Sequence, residues 1–188
     1  TYGVNFEMVS AGALAALEPH LKGALAGAMF MPDPVSVSDP EGVTKAYARL
    51  FQEHGGRFAR GEAGTLRPTS RGWEVQTSSG SVSAPAVVIA LGPWSNSIYR
   101  RLGYRIPFGV KRGYHMHYRA EGNATLNRPV IDAEYGYALT PMTRGIRLTT
   151  GAEFALRDAP PSPVQLARVE PLARQIFPLG ERLDAEPW

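Results

Sequence analysis

Apolar residues recur at Val43, Ala46, Tyr47, Leu50 and Phe51, the spacing of one helix face. Asp39 stands at the N-cap position, Pro40 at the first helical one, and His54-Gly55-Gly56 ends the run. A second helix is predicted over 161–177, where Val164, Leu166, Ala167, Leu172, Ala173, Ile176 and Phe177 form a broad face and Pro171 is expected to introduce a kink. A shorter one spans Ala11 to Leu17, with Ser10 as its cap and Glu18-Pro19 as its end. Residues 96–102 read as a helical turn.

Strand patterns fill the intervals. Mild alternation runs from Thr1 to Val9, and 27–33 reads as a strand. Residues 57–59 make a short strand-like step. Segments 63–70, 72–78 and 80–91, broken at Arg71-Gly72 and Ser79-Gly80, predict a small antiparallel meander. Further on, 105–119 reads as a long strand interrupted at Gly109 and Gly113. Segments 134–142 and 145–154 are separated by Thr143-Arg144, which has hairpin spacing. There is no internal repeat.

The run "VVIALG" (87–92) admits two readings: a buried strand of an α/β domain, or a strand whose end faces a ligand. Neither G-x-G-x-x-G nor G-x-x-x-x-G-K-[ST] occurs, so the sequence has no phosphate-binding loop of its own.

Composition narrows the classes. With 188 residues, 44% hydrophobic and 20% charged, the chain is globular and long enough for one domain or two small ones. Twenty basic and 17 acidic residues are scattered without blocks, leaving a net charge of +3, which gives no support for a nucleic-acid partner. No apolar stretch approaches the roughly 18–20 residues of a membrane span. The absence of cysteine excludes disulfides, thiolate metal sites and a cysteine nucleophile. The chain opens on Thr1 rather than on a methionine, and an excised or processed piece is expected.

His115 and His117 share one face of a strand, but a metal needs a third ligand, and none stands at strand spacing nearby. They fit a polar strand face lining a cleft as well as ordinary surface or core positions. No G-x-S-x-G elbow is present, and Asp132, Glu134 and Glu153 fit an exposed strand face as well as an acid/base pair. "RGYH" (112–115) packs a cation, a glycine, a phenol and an imidazole into four residues; a carboxylate or planar-ring site and a bulged strand both account for it.

Six segments, taken in order, carry a resemblance: 13–33, 37–58, 84–108, "RGYH" at 112–115, "YALTPMTRGIRLTTGAEF" at 137–154 and "LDAEPW" at 183–188. Together they resemble the FAD-dependent oxidoreductases of the D-amino-acid dehydrogenase, glycine oxidase and sarcosine oxidase group. The resemblance implies an α/β (α+β) fold in which 1–38 and 97–188 build a mixed-sheet substrate domain with helices on one side. Residues 39–96 would form the inner part of an FAD-binding domain containing a small β-meander. The family's N-terminal dinucleotide fingerprint is absent, and the sequence stops at Trp188, before the family's carboxylate-binding arginine.

The resemblance also implies site residues. Ala63 and Gly64 would meet the adenine end of FAD; Ala90, Leu91 and Gly92 would lie beside the cofactor, followed by Pro93, Trp94 and Ser95. Arg112, Tyr114, His115 and Tyr137 would face the substrate. The implied reaction moves a hydride from Cα of a small amino acid to FAD, and hydrolysis of the imine gives an oxo acid and ammonia, with no protein nucleophile, catalytic side chain or metal. The expected partner is a small amino-acid substrate and not a nucleic acid, the expected location the cytoplasm or the inner-membrane periphery, and FAD is not expected to stay on this piece by itself. A non-catalytic α/β binding or scaffolding domain, or a relative acting on a hydroxy acid or glycerol phosphate, are the alternatives.

Overall fold

A computed structural model describes residues 3–188; Thr1 and Tyr2, at the start of the first alternating stretch, lie outside the described residues. The chain divides into two compact units, one made of 1–40 and 111–188, the other of Glu41–Val110.

The first unit opens with β1 (Glu7–Ser10), α1 (Ala11–Leu17) and β2 (Gly27–Phe30), and β1 and β2 pair antiparallel. Ser10 caps α1 as expected, its hydroxyl accepting from Ala13 N at 3.3 Å. Glu18, at the helix end, is buried, and its carboxylate accepts from Asn127 N at 2.8 Å and pairs with Arg128.

The second unit begins with α2 (Pro40–Glu53), which Gly55 terminates at a φ of 84° while His54 N and Gly56 N return to the carbonyls of Leu50 and Phe51. The helix forms where the pattern places it. Its apolar stripe nevertheless stays open: Val43, Tyr47, Leu50 and Phe51 are all exposed. Beyond it, β3 (Arg67–Thr69), β4 (Gly72–Thr77) and β5 (Gly80–Ala84) form the predicted antiparallel meander. Residues 57–59 form no strand; the bridge between Gly61 and Thr77 is the pairing that falls closest to them.

Past Ala84 the structure departs from the pattern. Residues 86–91 are in no ladder, and Val88 is 88% exposed. A strand apolar on both faces needs neighbours on both edges to bury them, and none of the described residues supplies one. The segment turns at Gly92–Trp94 into α3 (Ser95–Arg101).

The chain then returns to the first unit through β6 (Lys111–Arg112), β7 (His115–Ala120), β8 (Val130–Asp132), β9 (Tyr137–Met142), β10 (Gly145–Thr150), β11 (Glu153–Phe154), α4 (Val164–Ile176) and β12 (Leu179–Arg182). The predicted strand over 105–119 begins only at Lys111 and is broken at Gly113 and Tyr114. A five-stranded sheet has the order β12-β7-β10-β9-β8, with every pairing antiparallel. The α/β class with helices and several sheets is the class expected.

Alternation decides which face of this sheet is covered. Met116 and Tyr118, Tyr137 and Leu139, and Ile146 and Leu148 point to one side, where Leu166, Val169 and Ala173 of α4 and the following Phe177 close the core. Fully burying each such aliphatic or aromatic side chain contributes about 1.5–3 kcal/mol. The helix face is narrower than predicted: Val164 and Ala167 lie outward, and Val169 is the inward residue between Leu166 and Ala173. α4 continues through Pro171 because that residue and Ala167, whose carbonyl it leaves without a donor, both lie on the solvent side.

At the β9–β10 hairpin, Gly145 has a φ of 142°, and a Cβ there would lie 2.4 Å from the Tyr118 carbonyl oxygen. Only glycine fits. The hairpin is held at Thr143, whose N–H donates to Ser38 O at 3.0 Å.

Candidate functional site

The face of the sheet turned away from α4 is polar. Two rows of side chains cross it. His117 of β7, Arg147 of β10 and Thr140 of β9 stand opposite one another, and His115, Thr149 and Ala138 form the next row. His117 and Thr140 are buried, and the other four are half-buried.

The C-terminal segment borders this face. Leu183 N donates to His117 O, and His115 and Trp188 exchange backbone hydrogen bonds of 2.8 and 3.1 Å, with their ring centres 5.0 Å apart. Asp184 reaches across with both oxygens, one 3.1 Å from His117 Nδ1 and the other accepting from Arg144 Nη2 at 2.7 Å. Arg144, followed by the polar contact with His117, holds the Asp184 carboxyl below its usual range against a smaller opposing effect of burial. Burial, with the neighbouring His117 and Arg147, holds His115 below the usual imidazole range, which favours its neutral form.

The "RGYH" cluster is divided by the fold. Arg112 and Tyr114 converge on Glu153, whose Oε2 lies 3.1 Å from Arg112 Nη2 and accepts from the Tyr114 hydroxyl at 2.7 Å. The same hydroxyl accepts from Ser162 N at 2.7 Å, and Arg112 donates to the carbonyls of Ala159 and Pro160. Tyr114 therefore has its donor and an acceptor lobe engaged by its own chain, and β6 is bound to β11 through side chains as well as backbone. His115 alone of the four joins the polar face. Tyr137 lies on the other side: it belongs to the core beneath α4, 3% exposed, and burial followed by Asp132 pushes its phenol well above the usual range. Its neighbour Ala138 occupies the polar face.

The residues expected beside the cofactor lie in the Glu41–Val110 unit. Ala63 and Gly64 belong to a 3-10 turn rather than a strand start. Gly64 N donates to Glu62 Oε1 at 3.1 Å, and the carbonyl of Gly64 accepts from Arg101, so both backbone groups are engaged. Ala63 and Leu91 line one apolar cleft of about 120 Å³ with Leu66, Val75, Val87, Val88, Ile89 and Ile98. Ala90 is exposed, and Gly92 has a φ of 53° with no atom within 4 Å of a Cβ position. Bare backbone of this kind fits the flank of a dinucleotide, where a side chain would block approach. Ser95 is buried and its Oγ accepts from Leu91 N at 3.1 Å, fixing the turn, while Trp94 is exposed and Pro93 half-buried.

Arg147, Thr149 and Thr140 escaped the sequence reading. Their signal was the alternation within "GIRLTTG", which turns arginine and threonine to the face opposite Ile146 and Leu148.

The family model for FAD dependent oxidoreductases matches residues 1–188, and the chain belongs to that family. It is 31% identical over 182 residues to a D-amino acid dehydrogenase of Paramagnetospirillum magneticum, covering 92% of this chain and 42% of that protein. A D-amino acid dehydrogenase of Vibrio cholerae is 29% identical, with 95% and 44% covered. Among solved structures, glycine oxidase from Geobacillus kaustophilus superposes with a TM-score of 0.75 at 27% identity, over 94% of this chain and 47% of that one. L-proline dehydrogenase from P. horikoshii shares the fold, with a TM-score of 0.74 at 21% identity, over 96% and 51%. The chain spans about half the length of these relatives or less. Among the described residues, no helix is long and apolar enough to cross a membrane.

Proposed function

We propose that this chain serves a flavin-dependent oxidation of the C–N bond of a small amino acid, a D-amino acid foremost, giving an oxo acid and ammonia. The observation that carries the reading is the family match along the whole chain, and the nearest support for the substrate class is the D-amino acid dehydrogenase relatives. Segments 1–38 and 97–188 act as the substrate domain and 39–96 as the inner part of the flavin domain; the unit Glu41–Val110 contains nearly all of the latter.

FAD supplies the acceptor for the hydride leaving Cα. The chain's own tasks are positioning and exclusion of water. Ala90, Leu91 and Gly92 offer backbone to the cofactor's flank, with Ser95 holding the turn and Ala63 closing the apolar cleft behind them. His115 stands on the substrate side as a neutral imidazole. Arg112 and Tyr114 support it indirectly, by fastening the strand entry at Glu153 rather than by touching the ligand.

The test is the full-length protein under anaerobic conditions, with flavin absorbance followed after addition of D-alanine, glycine, sarcosine or D-lactate. Bleaching by the amino acids is expected. Bleaching by the hydroxy acid alone would overturn the C–N reading.

A further inference from the structure

One side chain gathers the carbonyls around the 3-10 turn Ala63–Thr65. Arg101, in the last turn of α3, donates from Nη1 to Gly64 O, and from Nη2 to Ala63 O at 3.4 Å and Leu66 O at 3.3 Å. These acceptors lie 35 to 38 positions back along the chain. The turn's other bonds are local or run to β4: Gly64 N donates to Glu62 Oε1, Thr65 N to Glu62 O, and Thr65 Oγ1 accepts from Gln76 N at 2.9 Å. Among the described residues, no backbone hydrogen bond joins the turn to 90–101.

The two segments nevertheless share a ligand-sized space. The apolar cleft is lined by Ala63 and Leu66 from the turn and by Leu91 and Ile98 from the α3 side. Ile98 is buried and seats the helix, while Arg101, three residues on and exposed, reaches over to the turn. Apolar contact is non-directional and leaves the two walls free to slide. A planar guanidinium presents its donors in a rigid fork, so three carbonyls held by one fork set both separation and orientation. A lining without charged side chains suits the flat base of a dinucleotide and not its phosphates.

We propose that Arg101 is a positioning residue for the cofactor: it clamps the 63–66 turn to α3 and holds the width of the cleft that seats the adenine end of FAD. That the cleft serves FAD rests on the function proposed above; the clamp is assigned from the three carbonyl contacts.

The test removes FAD from the full-length protein and titrates the apoprotein with FAD and with ADP, which carries the adenine end without the flavin. Arg101→Met keeps the apolar stem and loses the fork. It should weaken both ligands about three- to tenfold, the size of one or two lost hydrogen bonds, with the urea midpoint little changed. Arg101→Lys, one point charge in place of a fork, should recover part of the loss. The control is Arg67→Gln, which breaks the ion pair with Glu74 on the β3–β4 ladder of the same unit and should leave ADP affinity unchanged. Wild-type affinity in Arg101→Met, weakening of FAD without ADP, or an equal loss in Arg67→Gln would overturn the assignment. The two proposals fail separately: unchanged affinities alongside flavin bleaching by amino acids sink the clamp alone, whereas bleaching by the hydroxy acid alone sinks the C–N reading and leaves the clamp standing.

Discussion

Nδ1 of His117 lies 3.1 Å from Oδ2 of Asp184, tying the central strand β7 to the segment that follows β12. Arg144 holds the other oxygen of the same carboxylate from the β9–β10 hairpin, so one side chain fastens three parts of the sheet.

This arrangement makes stability depend on pH. Asp184 titrates lower in the folded chain than unfolded, so as pH falls the unfolded state takes up the proton first. The contribution is complete above the ordinary carboxylate range and disappears as pH drops through the depressed folded value. Asp184→Asn should lower stability at neutral pH by about 0.5–1 kcal/mol and flatten the acid limb. Urea midpoints measured from pH 7 down to the acid limit check this; parallel curves for the two proteins would contradict it.

Tyr114→Phe should cost about 0.5–1.5 kcal/mol, since the Ser162 N–H loses its acceptor and Glu153 a donor. If Arg112 and Tyr114 instead only bound substrate, the variant would unfold at the wild-type urea concentration.

Leu148→Ala and Val88→Ser should separate sharply. Leu148 is fully buried between β7, β9 and α4, and its truncation should cost about 2–5 kcal/mol. Val88 is 88% exposed within this chain, and its replacement should change stability by less than about 0.5 kcal/mol. Thermal or urea unfolding of the 188-residue chain distinguishes them, and comparable losses would mean that the Val88 segment is buried after all.

Gly145→Ala should destabilise the hairpin by about 1–3 kcal/mol, because a left-handed φ and a 2.4 Å approach to the Tyr118 carbonyl both oppose a Cβ. Faster amide exchange across the β9–β10 pairing is the signature to look for; unchanged protection would rule the clash out.

Local signals were readable wherever the determinant was local. Ser10 capping α1, Asp39-Pro40 opening α2, Gly55 closing it, the meander over 67–84 and the hairpin at Thr143-Arg144 all follow from residues a few positions apart. The ordered motifs were likewise enough for the family. The strands β8 and β12 escaped, being short and patterned too weakly to stand out before β9 and β7 supplied their partners.

Which face a residue serves was another matter. "RGYH" reads as one cluster, but the break at Gly113-Tyr114 sends Arg112 and Tyr114 to Glu153, 39 to 41 positions on, and leaves His115 on the open sheet face. A slip of one residue exchanges the faces of a strand, and so Tyr137 enters the core while Ala138 faces outward. The run Val87–Leu91 shows the converse, since apolarity marks a surface to be covered without saying by what.

The sequence by itself determined the helices, the meander, the β9–β10 hairpin and the family, because periodicity, caps and turn glycines act over short separations. Only the tertiary structure decided that Arg147 and Thr149 stand beside His117 and His115 on one face. That outcome depends on the register between β7, β9 and β10, and register is fixed by packing across the whole sheet.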